Sequence, residues 1–203
     1  FMIDEPMTYA QYARWVYDQQ MFFVSRPEGY VDMRQHSFRS AQAAGLAREE
    51  DWSLHLSTVF PEVRLKNIIE LRSADGGTGD LVVALNALWM GLLYDTTARA
   101  ELRQLVGHWT SQTVEQVAAS ATEHGLGGTA DGQPMLNLAG DLLAIATAGI
   151  RRRGRGEECT LDVLNALLRS GKSQAEHAVA RFGDDAAATR RFVAQRLSTC
   201  PWI

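Results

Sequence analysis

The chain has 203 residues, 46% hydrophobic and 22% charged, a balance that predicts a folded globular protein rather than a disordered or fibrous one. Its formal net charge of -4 excludes a protein that binds nucleic acid through a dense basic surface. The longest apolar run, residues 81–94, is too short to span a bilayer, so we expect neither a nucleic-acid nor a membrane partner.

The start of the chain and its cysteines bear on origin and compartment. Residues 1–6 lack the basic flank and long apolar run of a signal peptide, and Met2 is not the first residue. The two cysteines, Cys159 and Cys200, are far apart and fit a reducing compartment. We therefore expect a fragment of a cytoplasmic protein.

The first predicted elements are a helix and a hairpin. Thr8-x-x-Gln11 has the form of a capping box and precedes apolar residues at helical spacing. Two apolar runs, 21–24 and 30–33, flank a turn-like composition at residues 26–29, which predicts a β-hairpin. Residues 37–59 are predicted to be helical with breaks.

Residues 62–75 alternate apolar and charged side chains, which indicates one long strand or two linked strands. The apolar positions are predicted to face the core, and they are Val63, Leu65, Ile69 and Leu71. The opposite face carries nearly all the charge, on Glu62, Arg64, Lys66, Glu70 and Arg72, with Ile68 as its apolar exception. We expect a sheet with a core side and a chemical side.

The rest of the chain is predicted to be helical. A glycine-rich turn at residues 75–79 precedes an apolar helix over residues 81–93 that should be buried. The arginines at 151–153 and 155 follow an apolar periodic run, which is typical of a helix C-terminus. A capping box, Ser173-x-x-Glu176, predicts a short helix, and residues 184–197 look like the last one.

Glu70-x-Arg72 is the strongest chemical signal in the sequence. A carboxylate can hold Mg²⁺ and a neighbouring arginine can bind a phosphate, a combination that suits phosphoryl transfer onto an acid. The alternative is a cross-strand ion-pair ladder that needs no ligand. Arg64 and Lys66 extend the same row, which favours a site. The histidines show no metal-site spacing, and residues 76–79 lack the pattern of a phosphate-binding loop.

This strand also carries a family resemblance. Residues 51–66 resemble the DW-x-x-HL-[ST]-T-x-FPEVRLK run of plant-type glutamate-cysteine ligases, and residues 70–77 are similar to the family's E-[ML]-R-G-A-D-G-G. The match also reaches residues 21–24 and 37–39 upstream and continues downstream to about Phe182, so that it covers most of the chain. The chain thus resembles the C-terminal half of a plant or proteobacterial glutamate-cysteine ligase.

The resemblance implies a fold, a reaction and residue roles. It implies an α+β fold in which part of a glutamine synthetase-like antiparallel sheet is followed by a helical C-terminal region. In such ligases Mg²⁺-ATP phosphorylates the γ-carboxylate of glutamate, and the amine of cysteine displaces the phosphate. By this likeness Glu70 would bind the metal, Arg72 and Arg64 would be catalytic, and Lys66 and Arg39 would bind substrate or phosphate.

The resemblance also leaves alternatives open. Residues 1–95 would form the C-terminal part of the catalytic sheet domain, and residues 96–203 a helical bundle packed on it within the same structural domain. Such ligases carry about as much sequence again upstream, so a second polypeptide or an N-terminal segment would complete the sheet and be needed for activity. The family's Pro-Trp-Arg-Arg stretch is replaced by residues 78–81, which leaves the amine substrate open. A noncatalytic homologue serving as a partner or regulatory subunit is the other alternative.

Overall fold

The computed structural model describes residues 7–183, 185–188, 190, 191 and 194. This described part is mostly helical and contains three small two-stranded antiparallel sheets, which confirms the predicted α+β class. The glutamine synthetase-like form of the sheet stays a prediction. The chain divides into two compact units, Phe1–Asp75 and Gly76–Ile203. The domain boundary predicted after residue 95 likewise stays a prediction.

The first unit combines short helices with two hairpins. Its elements are α1 (Tyr9–Asp18), β1 (Phe23–Arg26), β2 (Gly29–Asp32), α2 (Phe38–Ala43), a 3₁₀ turn (Glu49–Asp51), α3 (Trp52–Thr58), β3 (Val63–Leu65) and β4 (Ile69–Leu71). The capping box predicted at the start of α1 is present, because the Thr8 hydroxyl accepts from the Gln11 N–H at 3.3 Å and the Thr8 N–H donates back at 2.8 Å. The predicted hairpin of β1 and β2 is also confirmed.

The core of the first unit lies around the aromatic ring of Phe38. Six buried residues form its main cluster: Met21, Val24, Met33, Phe38, Ala41 and Ala47. The Phe38 ring contacts Trp52 edge-on, with 5.2 Å between centroids. In a second cluster Tyr12, Val16 and Val59 pack with Leu65 of β3. Since the Tyr12 hydroxyl also accepts the Leu65 N–H at 3.1 Å, α1 anchors the β3–β4 hairpin.

The second unit is a set of helices with one small hairpin. Its elements are α4 (Gly79–Leu93), α5 (Thr96–Val106), α6 (Ser111–His124), β5 (Thr129–Ala130), β6 (Gln133–Pro134), α7 (Met135–Arg153), α8 (Asp162–Ser170) and α9 (Gln174–Phe182). Helices α4 and α7 cross at glycines. A Cβ on Gly91 would lie 2.2 Å from the Ala146 carbonyl oxygen, and one on Gly149 would lie 2.1 Å from that of Gly91. Only a residue without a side chain fits at these two positions.

Several helix ends agree with the sequence. Arg151, Arg152 and Arg153 form the last turn of α7, as predicted, and Gly154 follows in the left-handed conformation with a φ of +68°. The capping box at the start of α9 is present. The β5–β6 hairpin was not predicted. The helix predicted over residues 184–197 lies partly outside the described residues.

One further observation concerns helix length. Within the described ranges, no single helix is long and apolar enough to cross a membrane. Helices α4 and α5 reach that length and hydropathy only when taken together, and a bend of 91° separates them.

Candidate active site on the β3–β4 hairpin

Three of the charged side chains that were predicted to share one strand face contact one another on the β3–β4 hairpin. The antiparallel register places Arg64 directly opposite Glu70. The Arg64 guanidinium donates from Nε to Glu70 Oε2 at 2.8 Å and from Nη2 to Oε1 at 3.1 Å, a two-pronged contact. Arg72, two residues from Glu70 on the same face of β4, donates from Nη1 to Oε1 at 2.8 Å. One carboxylate thus lies between two guanidinium groups.

The burial of this hairpin differs from the predicted one at three positions. Arg64 is only 8% exposed, whereas Val63 and Ile69, which were expected to face the core, are 40% and 65% exposed. Burial of a cation is tolerated when its donors are satisfied. The partners of Arg64 are Glu70 and two backbone carbonyls at the end of α3, Ser57 at 2.5 Å and Val59 at 3.5 Å. The prediction was wrong for Val63 and Ile69, because charge alternation does not reveal the partners of Arg64, whereas Leu65 does pack in the core as expected.

Lys66 joins the group through Ser57. Its Nζ donates to the Ser57 hydroxyl at 3.0 Å, while the carbonyl of the same serine accepts from Arg64. Sequence reasoning did not single out Ser57. Its place in the 51–66 motif was the available signal, and its role is to hold two cations with one residue.

Arg72 is the more accessible of the two arginines. Its side chain is 28% exposed, and its guanidinium carbon lies 5.2 Å from the centroid of the Phe60 ring. An arginine side chain has five N–H donors, and in the described part of the chain those of Arg72 reach only Glu70. The remaining donors can bind an anion. Phe60, which sequence reasoning also missed, precedes Pro61 in the same motif.

The charge state of Glu70 follows from its neighbours. The hydrogen bond from Arg64, reinforced by Arg72, lowers the pKa of Glu70 below its usual value, so it is a carboxylate at neutral pH. A carboxylate has about four lone-pair sites, and the two arginines occupy three of them. Glu70 can therefore offer one further bond, as Mg²⁺ requires of a single ligand. Among the described residues no group of three His, Cys, Asp or Glu side chains could hold a metal by itself.

Arg39 does not join the hairpin. Its guanidinium pairs with Asp18, with Nε to Oδ1 at 2.5 Å, and lies 4.7 Å from the centroid of the Tyr17 ring. It borders a cleft of about 740 Å³ whose aromatic lining includes Tyr17, Phe38 and Trp52. Of the predicted site residues, the structure therefore brings four together and leaves this one elsewhere in the first unit.

Two other residues of the 51–66 motif build the fold instead. Asp51 is buried and accepts both prongs of Arg26, at 2.7 and 2.8 Å, and these hydrogen bonds lower the pKa of its carboxyl. His55 is buried against Phe38, and its Nε2–H donates to the Val16 carbonyl at 2.8 Å. Their partners lie in α1 and β1, so no local pattern could have identified these contacts.

The fold and the hairpin define an α+β protein that holds two guanidinium groups around one carboxylate on a short β-hairpin. The sequence comparisons give this class a family. The model of glutamate-cysteine ligase family 2 (GCS2) matches residues 1–195, and the chain belongs to this family. The predicted resemblance is thereby confirmed.

Curated plant ligases are similar over most of the chain. Glutamate-cysteine ligase A, chloroplastic, of Oryza sativa subsp. indica is 34% identical over 183 residues, which cover 87% of this chain and 37% of the relative. The chloroplastic glutamate-cysteine ligase of Arabidopsis thaliana is 33% identical, with 87% and 35% covered. That of Nicotiana tabacum is 32% identical, also with 87% and 35% covered. The chain spans little more than a third of the length of these relatives.

The comparisons overturn one prediction. A cytoplasmic location was expected from the cysteine content and the chain start. It was wrong on this finding, because each of these named relatives is a chloroplastic ligase. Neither of the two features used is specific to a compartment.

Proposed function

We propose that this chain supplies part of the active site of an ATP-dependent glutamate-cysteine ligase, an enzyme of glutathione biosynthesis. The reaction would join the γ-carboxylate of glutamate to the amine of cysteine through a γ-glutamyl phosphate. One observation carries the proposal. Arg72 lies in the sequence that matches the family, its guanidinium is held by Glu70, and its other N–H donors remain able to bind an anion.

The chemistry asks for positive charge where phosphate forms and departs. When ATP transfers its terminal phosphate to the γ-carboxylate, negative charge spreads over the phosphoryl oxygens. Arg72 would bind those oxygens, and Lys66, held by Ser57, would add a second cation on the same face. Both cations then stabilise the phosphate as it leaves during attack by the cysteine amine.

Two further roles complete the proposal. Glu70 would provide one ligand to Mg²⁺, which when bound offsets the negative charge of the ATP phosphates. Arg39 would bind substrate charge at a distance from the hairpin, as a guanidinium beside the aromatic cleft.

The remainder of the site would come from outside this chain. The match covers only 37% of the Oryza sativa ligase, and the described residues here provide no group of three His, Cys, Asp or Glu side chains that could hold a metal. We propose that residues beyond this chain, from the same polypeptide or from a second one, complete the sheet and are required for activity.

The experiment measures ligation in the complete polypeptide or assembly that contains this chain. Phosphate release from Mg²⁺-ATP should require both glutamate and cysteine. Arg72→Ala should lower kcat by roughly 100-fold or more, because it removes a group that stabilises charge in the transition state. Arg155→Ala, at an exposed arginine of the second unit, is the matched control and should leave kcat unchanged.

Other outcomes discriminate among the alternatives. Phosphate release that requires glutamate and a different amine would identify a ligase of another specificity. Binding to a partner ligase without any turnover of its own would identify a noncatalytic subunit. Wild-type turnover in the Arg72→Ala enzyme would reject the assigned role of the hairpin.

A further inference from the structure

The two arginines of the hairpin differ in what they can still bind. Arg64 uses Nε and both Nη atoms on Glu70, Ser57 and Val59, and it is buried. Arg72 makes one side-chain hydrogen bond within the described residues and is partly exposed. Hence an incoming anion can reach Arg72, whereas Arg64 is buried and its Nε and both Nη atoms already donate to acceptors in the first unit.

We propose that Arg64 and Phe60 are positioning residues of the proposed ligase site. Arg64 fixes the carboxylate of Glu70, Phe60 supports the guanidinium of Arg72, and together they point the free donors of Arg72 at the transferred phosphate. This inference rests on the proposed function and assigns Arg64, which was predicted to be catalytic, an indirect role.

The effect of Arg64 passes through Glu70. Both arginines donate to Oε1 of this carboxylate, so its position determines where Arg72 is held. A glutamate side chain has several rotamers, and only the two-pronged contact with a buried, immobile guanidinium selects one. Arg64 is immobile because two carbonyls behind it, on Ser57 and Val59, accept its remaining donor atom.

Phe60 holds Arg72 from the other side. The ring is 63% exposed, so it contributes little to the core, yet it lies under the guanidinium within the distance of a cation–π interaction. The Phe60 ring also makes a T-shaped contact with the Phe22 ring, with 6.0 Å between centroids. Without the ring, Arg72 would keep one hydrogen bond to Glu70 and could rotate about it.

The main test replaces the ring in the complete enzyme. Phe60→Leu keeps an apolar side chain but removes the π face, and it should lower kcat roughly three- to tenfold. Phe60→Tyr keeps the π face and should stay within about twofold of wild type. Because Phe60 is exposed, the melting temperature should be the same in both variants. Tyr9→Leu, at another exposed aromatic residue of the first unit, controls for general effects of losing a ring.

A double-mutant cycle separates positioning from a merely structural role. If Phe60 acts through Arg72, Phe60→Leu should have no further effect on kcat in an Arg72→Gln background. Likewise Arg64→Lys, which keeps the charge and loses the two-pronged contact, should lower kcat in wild type but not in a Glu70→Gln background. Equal effects in both backgrounds would overturn the proposal.

The outcomes keep the two proposals apart. An inactive wild-type assembly would refute the proposed function. An active wild type whose kcat is the same in Phe60→Leu as in Phe60→Tyr would leave the function standing and refute the positioning role. Should Arg64→Lys fail to fold, the exposed Phe60 variants still decide the question.

Discussion

The two units of the chain differ in what allows their interiors to pack closely. The first buries charges and satisfies them, with Arg26 paired to Asp51 and Arg64 paired to Glu70. The second removes side chains altogether where α4 crosses α7, so that backbone touches backbone at Gly91 and Gly149. The packing of the first unit depends on an oppositely charged partner for each buried charge, and that of the second depends on the absence of a side chain at two glycines.

The two units should therefore be destabilised by different kinds of substitution. Loss of one member of a buried ion pair leaves an uncompensated charge, which is among the most costly single changes in a protein. Addition of one carbon at a backbone contact forces two helices apart, and its cost depends on how far they can yield. The first unit should therefore be sensitive to chemistry and the second to volume.

The largest effect is expected at the buried ion pair of the first unit. Asp51→Ala removes the carboxylate that accepts from Arg26 and from the backbone N–H of Arg48, which leaves the Arg26 charge with only the Ser25 and Leu46 carbonyls, and it should lower the free energy of unfolding by about 3–5 kcal/mol. Urea denaturation measures this change. As a control, Asp32→Ala breaks an exposed pair with Arg34 and should have little effect, although Arg34 lowers the pKa of Asp32 to about 2. Equal losses at the two sites would contradict the role of burial.

A smaller but still substantial effect is expected at the helix crossing. Gly149→Ala places a methyl group against the carbonyl of Gly91 and should cost about 1–3 kcal/mol of stability. Gly140→Ala, in the same helix α7, meets nothing within 4 Å and should instead stabilise the protein by roughly 0.5–1 kcal/mol. Thermal melts of the two variants should shift in opposite directions, and a shift of both in the same direction would rule out the close crossing.

The smallest effect is a pH dependence from His55. Burial lowers the pKa of His55 below its usual value of 6.5, against a smaller opposing effect of the hydrogen bond to Val16. The unfolded chain therefore binds the proton more readily than the folded chain. Stability should be complete above pH 6.5 and should decline as the pH falls below it. His55→Gln keeps a donor for the Val16 carbonyl and should show a shallower decline in urea titrations at pH 5.5 and 7.5. An unchanged slope would argue against a neutral, buried imidazole.

Much of the fold followed from local sequence. The capping boxes at Thr8 and Ser173, the hairpin of β1 and β2, and the arginine-rich end of α7 were all predicted, because each depends on residues close together in the chain. The β5–β6 hairpin was missed because its strands have two residues each, too few for a period-two pattern. Its turn does carry a sequence signal, because Asp-Gly is a dipeptide that favours hairpin turns, and Asp131 and Gly132 both adopt the positive φ that such a turn requires.

The sequence predicted which residues of the hairpin lie together better than it predicted which of them are buried. Alternation along residues 62–75 correctly placed Arg64, Glu70 and Arg72 on one face, because strand geometry fixes that relation. It could not show that this face is buried at Arg64, since the deciding acceptors are backbone carbonyls of α3 that any residue would provide. For the same reason the separate placement of Arg39 was beyond the sequence pattern.

Because the Arg64 guanidinium is buried and hydrogen-bonded, solvent exchange of its protons can be used to observe the hairpin. Guanidinium protons exchange with water quickly unless they are buried and hydrogen-bonded, so those of Arg64 should exchange slowly and those of Arg72 quickly. The Nε–H resonance of Arg64 then reports on whether the hairpin is intact, independently of any ligand. Slowing of the Arg72 protons reports on the arrival of an anion, which makes solvent exchange a direct measure of occupancy at this face.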